Sequence, residues 1–363
     1  MEPFKNLLNR GGIEATATRL HAAWPAFDTQ RFVQLAADGL DGLEMKARAL
    51  QICSALESTL PTHFEQAATV LEHTLRGDDA LEGWMLWPVG EFVARRGLAT
   101  PARGLQVLHA LTQRFTAEFA IRPFLVEHPQ LTLATLARWA HDGSEHVRRL
   151  VSEGSRPRLP WGLRLKALVD DPQPTLPLLL ALQDDPSAYV RRSVANHLND
   201  IAKDHPGLVA EWLETHLPGA APERRRLLRH ASRTLIKQGD RRVLAAWGLG
   251  KPLRGTAVLV IAPKRIVLGD TLTLELQLIS SSPRPQKLAV DYAVHHVKAD
   301  GGSSAKVFKG WTTELPPHGT LQLSKRHAVK PITTRRYHAG HHAVDVQVNG
   351  QVVASAGFTL KLA

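Results

Sequence analysis

Two stretches decide the fold: DGSEHVRRLV at residues 142–151 and DPSAYVRRSV at residues 185–194. Their offset of 43 residues lies inside the roughly 40–47-residue period of HEAT-type helical repeats. In each, an Asp opens a turn and two valines follow at i and i+4, so both valines share one buried helix face. The arginine pairs Arg148/Arg149 and Arg191/Arg192 begin the second helix of each repeat. A weaker third copy sets Leu228, Leu235 and Lys237 where the second has Val194, Ile201 and Lys203, at offset 34.

Around these repeats, apolar residues recur at three- and four-residue intervals up to about Gly250. The spacing predicts helices over Leu43–Leu60, His63–Leu75, Thr100–Phe115, Thr132–Ala140, Thr175–Leu182, Val190–Lys203, Leu208–His216 and Arg224–Lys237. Prolines 88, 101, 123, 129, 160, 172, 186, 206 and 218 punctuate between them. Short helices broken at regular intervals predict an all-α solenoid of stacked helix pairs.

After Gly255 the period becomes two. Thr256–Ile261, Thr271–Ile279, Lys287–Lys298, Ala305–Thr312, Thr320–Val329, His342–Val348 and Gln351–Leu360 read as seven short strands. Asn349-Gly350 between alternating runs is the strongest local hairpin signal in the chain. Seven strands in this span predict an all-β immunoglobulin-like sandwich without a cysteine pair. The expected organisation is therefore multidomain, with a helical-repeat domain over residues 1–250 and a β-sandwich over residues 256–363.

Composition narrows the function. The 363 residues suit about two domains, and an apolar fraction of 44% suits a globular chain. One cysteine, Cys53, excludes an intrachain disulfide framework and any cysteine-rich metal site. No run approaches the roughly 18 apolar residues of a membrane span, and Met1–Gly12 has no apolar signal core, so a cytoplasmic protein is expected. There is no phosphate-binding glycine loop and no dinucleotide fingerprint. His295-His296 and His341-His342 lie in strands, where neighbours point to opposite faces, and no spacing supports a metal. The formal charge is +11; residues 1–137 carry −3, residues 138–255 carry +7 and residues 256–363 carry +7. That basic middle and tail suggest a polyanionic partner.

Candidate chemistry sits in carboxylates with basic or apolar company. Glu118 lies near the end of an apolar helical pattern, RFTAEFAIRP at residues 114–123. Glu153 follows Arg148 and Arg149 on one helix and precedes GSRPRLPW at residues 154–161. That segment could present Arg156, Arg158 and Trp161 to a ligand, or be an inter-repeat turn anchored by Trp161. Arg149 and Glu153, at i and i+4, could simply pair. The repeat arginines could form a ladder for a phosphate backbone or bridge to the Asp of the neighbouring repeat. Cys53 and the tryptophans at 84 and 87 read as core.

With LEMKARAL (43–50), FAIRPF (119–124), VRRLVSEGSRPRLPW (147–161) and VRRSVANHLNDIAK (190–203), the chain resembles the HEAT-like-repeat DNA glycosylases of bacterial alkylation repair, in particular the AlkC branch. The resemblance covers about residues 1–250, and an appended immunoglobulin-like domain in part of that branch extends it to the whole chain. It implies excision of 3-methyladenine and 3-methylcytosine from double-stranded DNA by a monomer without metal or cofactor. It implies Glu118 and Glu153 as catalytic carboxylates and Trp161 as an aromatic wall. Arg148, Arg149, Arg156, Arg158, Arg191, Arg192 and Lys203 would serve the DNA. Asn196 and Asp200, one turn apart, would face the same groove. The sandwich would clamp the duplex or cap the last repeat. The alternative is a non-enzymatic HEAT scaffold that binds nucleic acid or protein.

Overall fold

The computed structural model describes residues 3–77, 79–332 and 335–362. They form two compact units, Met1–Asp204 with Ala221–Ala231, and His205–Ala220 with Ser232–Ala363.

The first unit is helical. Helix Glu145–Gly154 buries Val147, Leu150 and Val151, and helix Ala188–Ile201 buries Val190, Val194 and Leu198. The two repeats begin alike. Asp142 and Asp185 each accept the backbone N–H of a serine two residues on, at 2.8 Å, which sets the entry turn. Arg148 reaches back to the carbonyls of Asp142 and Gly143, and Arg191 to those of Asp185 and Pro186. The third copy departs from this pattern. Helix Pro222–Ala231 lies in the first unit, and Arg233–Gln238, a separate helix because the backbone leaves the helical region at Ser232, belongs to the second.

Several prolines that the sequence suggested as breaks instead start helices. Pro101, Pro129 and Pro206 occupy the first position of their helices, and Pro88 lies in the first turn of Leu86–Arg96. There the missing N–H costs nothing, since those donors have no intrahelical acceptor. Helix Arg10–Ala23, absent from the periodicity, carries Gly11-Gly12 but is capped by Asn9, whose side chain accepts from Gly12 N–H at 2.9 Å.

Among its described residues the second unit holds eight strands: β1 (Gly255–Ala262), β2 (Arg265–Val267), β3 (Thr271–Ser280), β4 (Gln286–Val297), β5 (Ser303–Leu315), β6 (Thr320–Ala328), β7 (Gly340–Val348) and β8 (Gln351–Lys361). Sheets β1-β3-β6 and β2-β8-β7-β4-β5 enclose a core that includes Leu274, Leu276, Val290, Val294, Val346 and Phe358. All seven predicted strands are present. The eighth, β2, is a three-residue segment parallel to β8, too short for any alternation to show. At the β7–β8 turn Asn349 has φ 50° and Gly350 φ 79°, the geometry the Asn-Gly pair favours. His296 and His342 are buried while His341 is exposed, as strand alternation requires. Among the described residues no helix is long and apolar enough to cross a membrane, and no group of three or more metal-binding side chains assembles.

Candidate active site

Glu118 is not on a helix. It sits in the turn before helix Ile121–Glu127, where Thr116 N-terminal to it breaks the apolar periodicity. The Thr116 hydroxyl donates to Glu118 Oε2 at 2.8 Å and accepts the Glu118 N–H at 3.2 Å. Glu153 lies in the last turn of its helix and is 6% exposed. These two carboxylates come together at Arg149. One guanidinium nitrogen is 2.5 Å from Glu118 Oε2 and the other is 3.6 Å from Glu153 Oε1. Arg149 also donates to Thr116 Oγ1 at 2.8 Å and lies 5.1 Å from the ring centroid of Tyr189. Beside it opens a pocket of about 310 Å³, lined by Phe115, Thr116, Glu118, His146, Arg149 and Tyr189 among others.

Behind Arg149 the network continues inward. Arg156 donates to Glu153 Oε1 at 2.6 Å and to Asp200 Oδ2 at 2.8 Å. Burial opposes its charge, but the Asp200 hydrogen bond and the Glu153 charge hold its pKa above the usual arginine value. Ser193 donates to Glu153 Oε2 at 2.6 Å, and Lys203 donates to Asp200 Oδ1 at 2.8 Å. Asp200 is 2% exposed and therefore belongs to this cluster. Asn196, one turn earlier, instead has Oδ1 2.9 Å from His230 Nε2. The expectation that Asn196 and Asp200 face one groove is thus corrected. Asp200 turns to the loop that carries Arg156, while Asn196 turns to helix Pro222–Ala231.

The remaining arginines divide by partner. Arg148 makes a two-pronged pair with Asp185 at 2.6 and 3.0 Å, so it ties one repeat to the next and is no open rung of a ladder. Arg158 pairs in the same way with Asp204 at 2.6 Å, which holds the 154–161 loop down and does not present it. Arg191 is spent on backbone carbonyls. Arg192 is exposed and has no ion pair among the described residues; it lines a groove of about 390 Å³ with Glu223, Arg226 and His230. Trp161 is 71% exposed with φ 64°, a backbone state a large side chain rarely adopts. Its ring meets the edge of Phe4, at 6.2 Å between centroids. An anchor would be buried, so Trp161 is a presented side chain. Trp87 is buried as expected, whereas Trp84 is half-buried between Phe4 and Phe115.

Sequence reasoning missed Arg122, Ser193, Tyr189 and His197. Arg122 is fully buried and donates to the carbonyls of Leu163 at 2.5 Å and Gly154 at 2.8 Å. Burial, with Arg156 nearby, pushes its pKa down to about 10. His197 is fully buried against the Ser152 carbonyl, 2.9 Å from Nδ1, and burial pushes it down to about 4. Ser193 and His197 stand at i and i+4 and so share a helix face; only folding shows that this face meets Glu153 and the Ser152 carbonyl.

Residues 115–235 match the family described as DNA alkylation repair enzyme, and residues 256–362 match the C-terminal Ig-like domain of the uncharacterised protein YhaZ. The uncharacterized protein YhaZ of Bacillus subtilis is 38% identical over 364 residues, covering 99% of both chains. The chain belongs to the HEAT-like-repeat family of DNA alkylation repair enzymes. A Pseudomonas fluorescens alkylpurine DNA glycosylase AlkC, solved bound to DNA containing an abasic site analog, is 38% identical and superimposes with a TM-score of 0.92 over 99% of this chain and 100% of its own. Within the family, the chain belongs to the AlkC branch with a C-terminal immunoglobulin-like domain.

Proposed function

We propose that this chain is a monofunctional DNA glycosylase that hydrolyses the N-glycosidic bond of cationic N3-alkylated bases in double-stranded DNA, 3-methyladenine and 3-methylcytosine among them. One observation carries the reading: Glu118 and Glu153, from separate elements, converge on Arg149 at 2.5 and 3.6 Å. A base that is already cationic leaves without a proton from an acid. The enzyme needs only to stabilise the oxocarbenium-like sugar and to place a water. Carboxylates fixed in advance do both, because no reorganisation is needed when the charge develops.

The two glutamates differ in what they have left to give. Both oxygens of Glu153 accept hydrogen bonds, from Arg156 and Ser193, so its part is charge. Glu118 commits Oε2 to Thr116 and Arg149, and its other oxygen is available to a water. Trp161 gives an aromatic face to the cationic centre. Arg192 and Lys203 contact phosphates, while Arg148, Arg156, Arg158 and Arg191 hold the scaffold that positions the site. The repeat domain takes residues 1–250 and the sandwich residues 256–363, although residues 205–220 and 232–250 share one compact unit with the sandwich, and the enzyme works as a cytoplasmic monomer without a cofactor.

The test is release of methylated base from alkylated DNA, compared with the Glu118→Gln/Glu153→Gln double variant. Release by the wild type and a loss of at least about 100-fold in the variant are expected. No release by the wild type sinks the activity; equal release by the variant sinks the site.

A further inference from the structure

We infer that Arg149 is a specificity-determining residue that, in the free enzyme, holds the place of the substrate's positive charge, so that a lesion enters by exchanging one cation for another. The inference rests on the carboxylate reading above and adds to it the means by which charged and neutral sites in DNA are told apart.

A guanidinium is planar, delocalised and singly positive. Arg149 sets this group between Glu118 and Glu153, with the Tyr189 ring at 5.1 Å. Two carboxylates and an aromatic face are what a flat, delocalised substrate cation requires. The receptor for such a cation is therefore already filled, by a side chain with the same charge and shape. Two like charges in one partly desolvated hollow repel, so a substrate cation and the Arg149 guanidinium compete for Glu118, which pairs with no other cation among the described residues.

The charge balance points the same way. Glu118, Glu153 and Asp200 are matched by Arg149, Arg156 and Lys203. Arg122 is a further buried cation behind them. With Arg149 in place four cations face three carboxylates, and the cluster repels a further cation; with Arg149 turned out the two are equal in number and Glu118 loses the cation it pairs with. Arg149 is also the guanidinium best placed to leave. Arg156 is pinned by Glu153 and Asp200 together, and Arg122 is sealed under Leu163 and Gly154. Arg149 borders the open pocket of about 310 Å³ and has four rotatable side-chain bonds. An intact, neutral nucleotide offers nothing to replace it, so the guanidinium stays and the carboxylates remain occupied. A cationic lesion repays the exchange. Selection by charge then requires no closed cavity around the base.

The test uses two duplexes: one with a protonated pyrrolidine abasic mimic, one with its neutral tetrahydrofuran counterpart. The wild type is expected to prefer the pyrrolidine duplex. Arg149→Met, which keeps the stem and loses the competing charge, is expected to raise that preference by about tenfold, the scale of one charge-assisted contact. Arg149→Lys is expected to stay close to the wild type. An unchanged or reduced preference in Arg149→Met overturns the inference while leaving the glycosylase reading intact. A wild type that does not distinguish the duplexes, and releases no methylated base, removes both. A second measurement needs no variant to fold: a wild-type structure with the pyrrolidine duplex should show Arg149 turned away from Glu118, and retained contact overturns the exchange.

Discussion

Ser193 donates its hydroxyl to Glu153 Oε2 at 2.6 Å, which joins the second repeat's helix to the carboxylate at the end of the first. The contact is fully buried, and Arg156 takes the other oxygen. Each repeat thus supplies what the other lacks. One carries the carboxylate and the next fixes its direction. Stacking the helix pairs, which the valine spacing demands for burial, creates the alignment of the site.

Removing this hydroxyl should affect chemistry more than binding. In Ser193→Ala, Glu153 keeps its charge and its two arginines but loses the hydroxyl that holds Oε2. The single-turnover rate of base release is expected to fall by about tenfold, the scale of one hydrogen bond to a charged group, with DNA affinity unchanged. Ser193→Thr, which keeps the hydroxyl, should recover most of the rate. A rate equal to the wild type in Ser193→Ala would show that Glu153 needs no such restraint.

Arg122 supports a second expectation. A buried guanidinium without a carboxylate partner is costly unless its hydrogen bonds are made. Here it holds the end of the Glu153 helix and the loop after Trp161 through Gly154 and Leu163. Arg122→Met should leave both carbonyls without a donor and lower stability by about 2–4 kcal/mol. Arg122→Lys reaches one carbonyl at a time and should fall between. Urea unfolding followed by helical circular dichroism measures this, and a Met variant as stable as the wild type would remove the clamp.

The repeat, the period change near Gly255, all seven longer strands and the buried valines were legible because each depends on local spacing. Glu118 and Glu153 were legible as unusual carboxylates, and Glu153's pairing with Arg149 as an i, i+4 contact. The division of labour among the arginines was not. Arg148, Arg149 and Arg191, Arg192 look alike in sequence, yet Arg148 spans repeats, Arg149 meets two carboxylates, Arg191 caps carbonyls and Arg192 is left exposed. That outcome depends on which helix packs alongside, as does the turn of Asp200 away from Asn196. Arg122 stands in a run of apolar residues that hides its charge among core positions, and no spacing announces a cation with only carbonyls for partners.

Buried neutral histidines make stability depend on pH. His197 is held down to about 4 by burial, against an ordinary value of about 6.5. The unfolded chain therefore binds a proton at higher pH than the folded chain does. Stability is full above about pH 6.5 and declines as pH falls toward 4. At pH 5 this residue should cost about 2 kcal/mol relative to pH 7.5. His296, down to about 3 by burial, acts in the same direction in the sandwich. His197→Gln should flatten the fall between pH 7.5 and 5 by about that amount in urea titrations of the helical signal. A variant with the wild-type slope would show that His197 is not the group responsible.

The sandwich offers a comparison of two glycines with nearly the same backbone angle. Gly301 has φ 77° and nothing within 4 Å of where a Cβ would stand. Gly350 has φ 79°, and a Cβ there would meet the Cα of Gly239 at 2.6 Å and its carbonyl oxygen at 3.1 Å. Both should suffer the left-handed penalty of about 1 kcal/mol when changed to Ala. Only Gly350→Ala must also push apart two backbones inside one compact unit, since Gly239 follows helix Arg233–Gln238. Gly350→Ala should therefore unfold at a clearly lower temperature than Gly301→Ala, and the double change of Gly239 and Gly350 should be worse still. Equal melting temperatures for the two single variants would mean that the hairpin gives way at no cost, and that this glycine pair does not set how closely the turn packs.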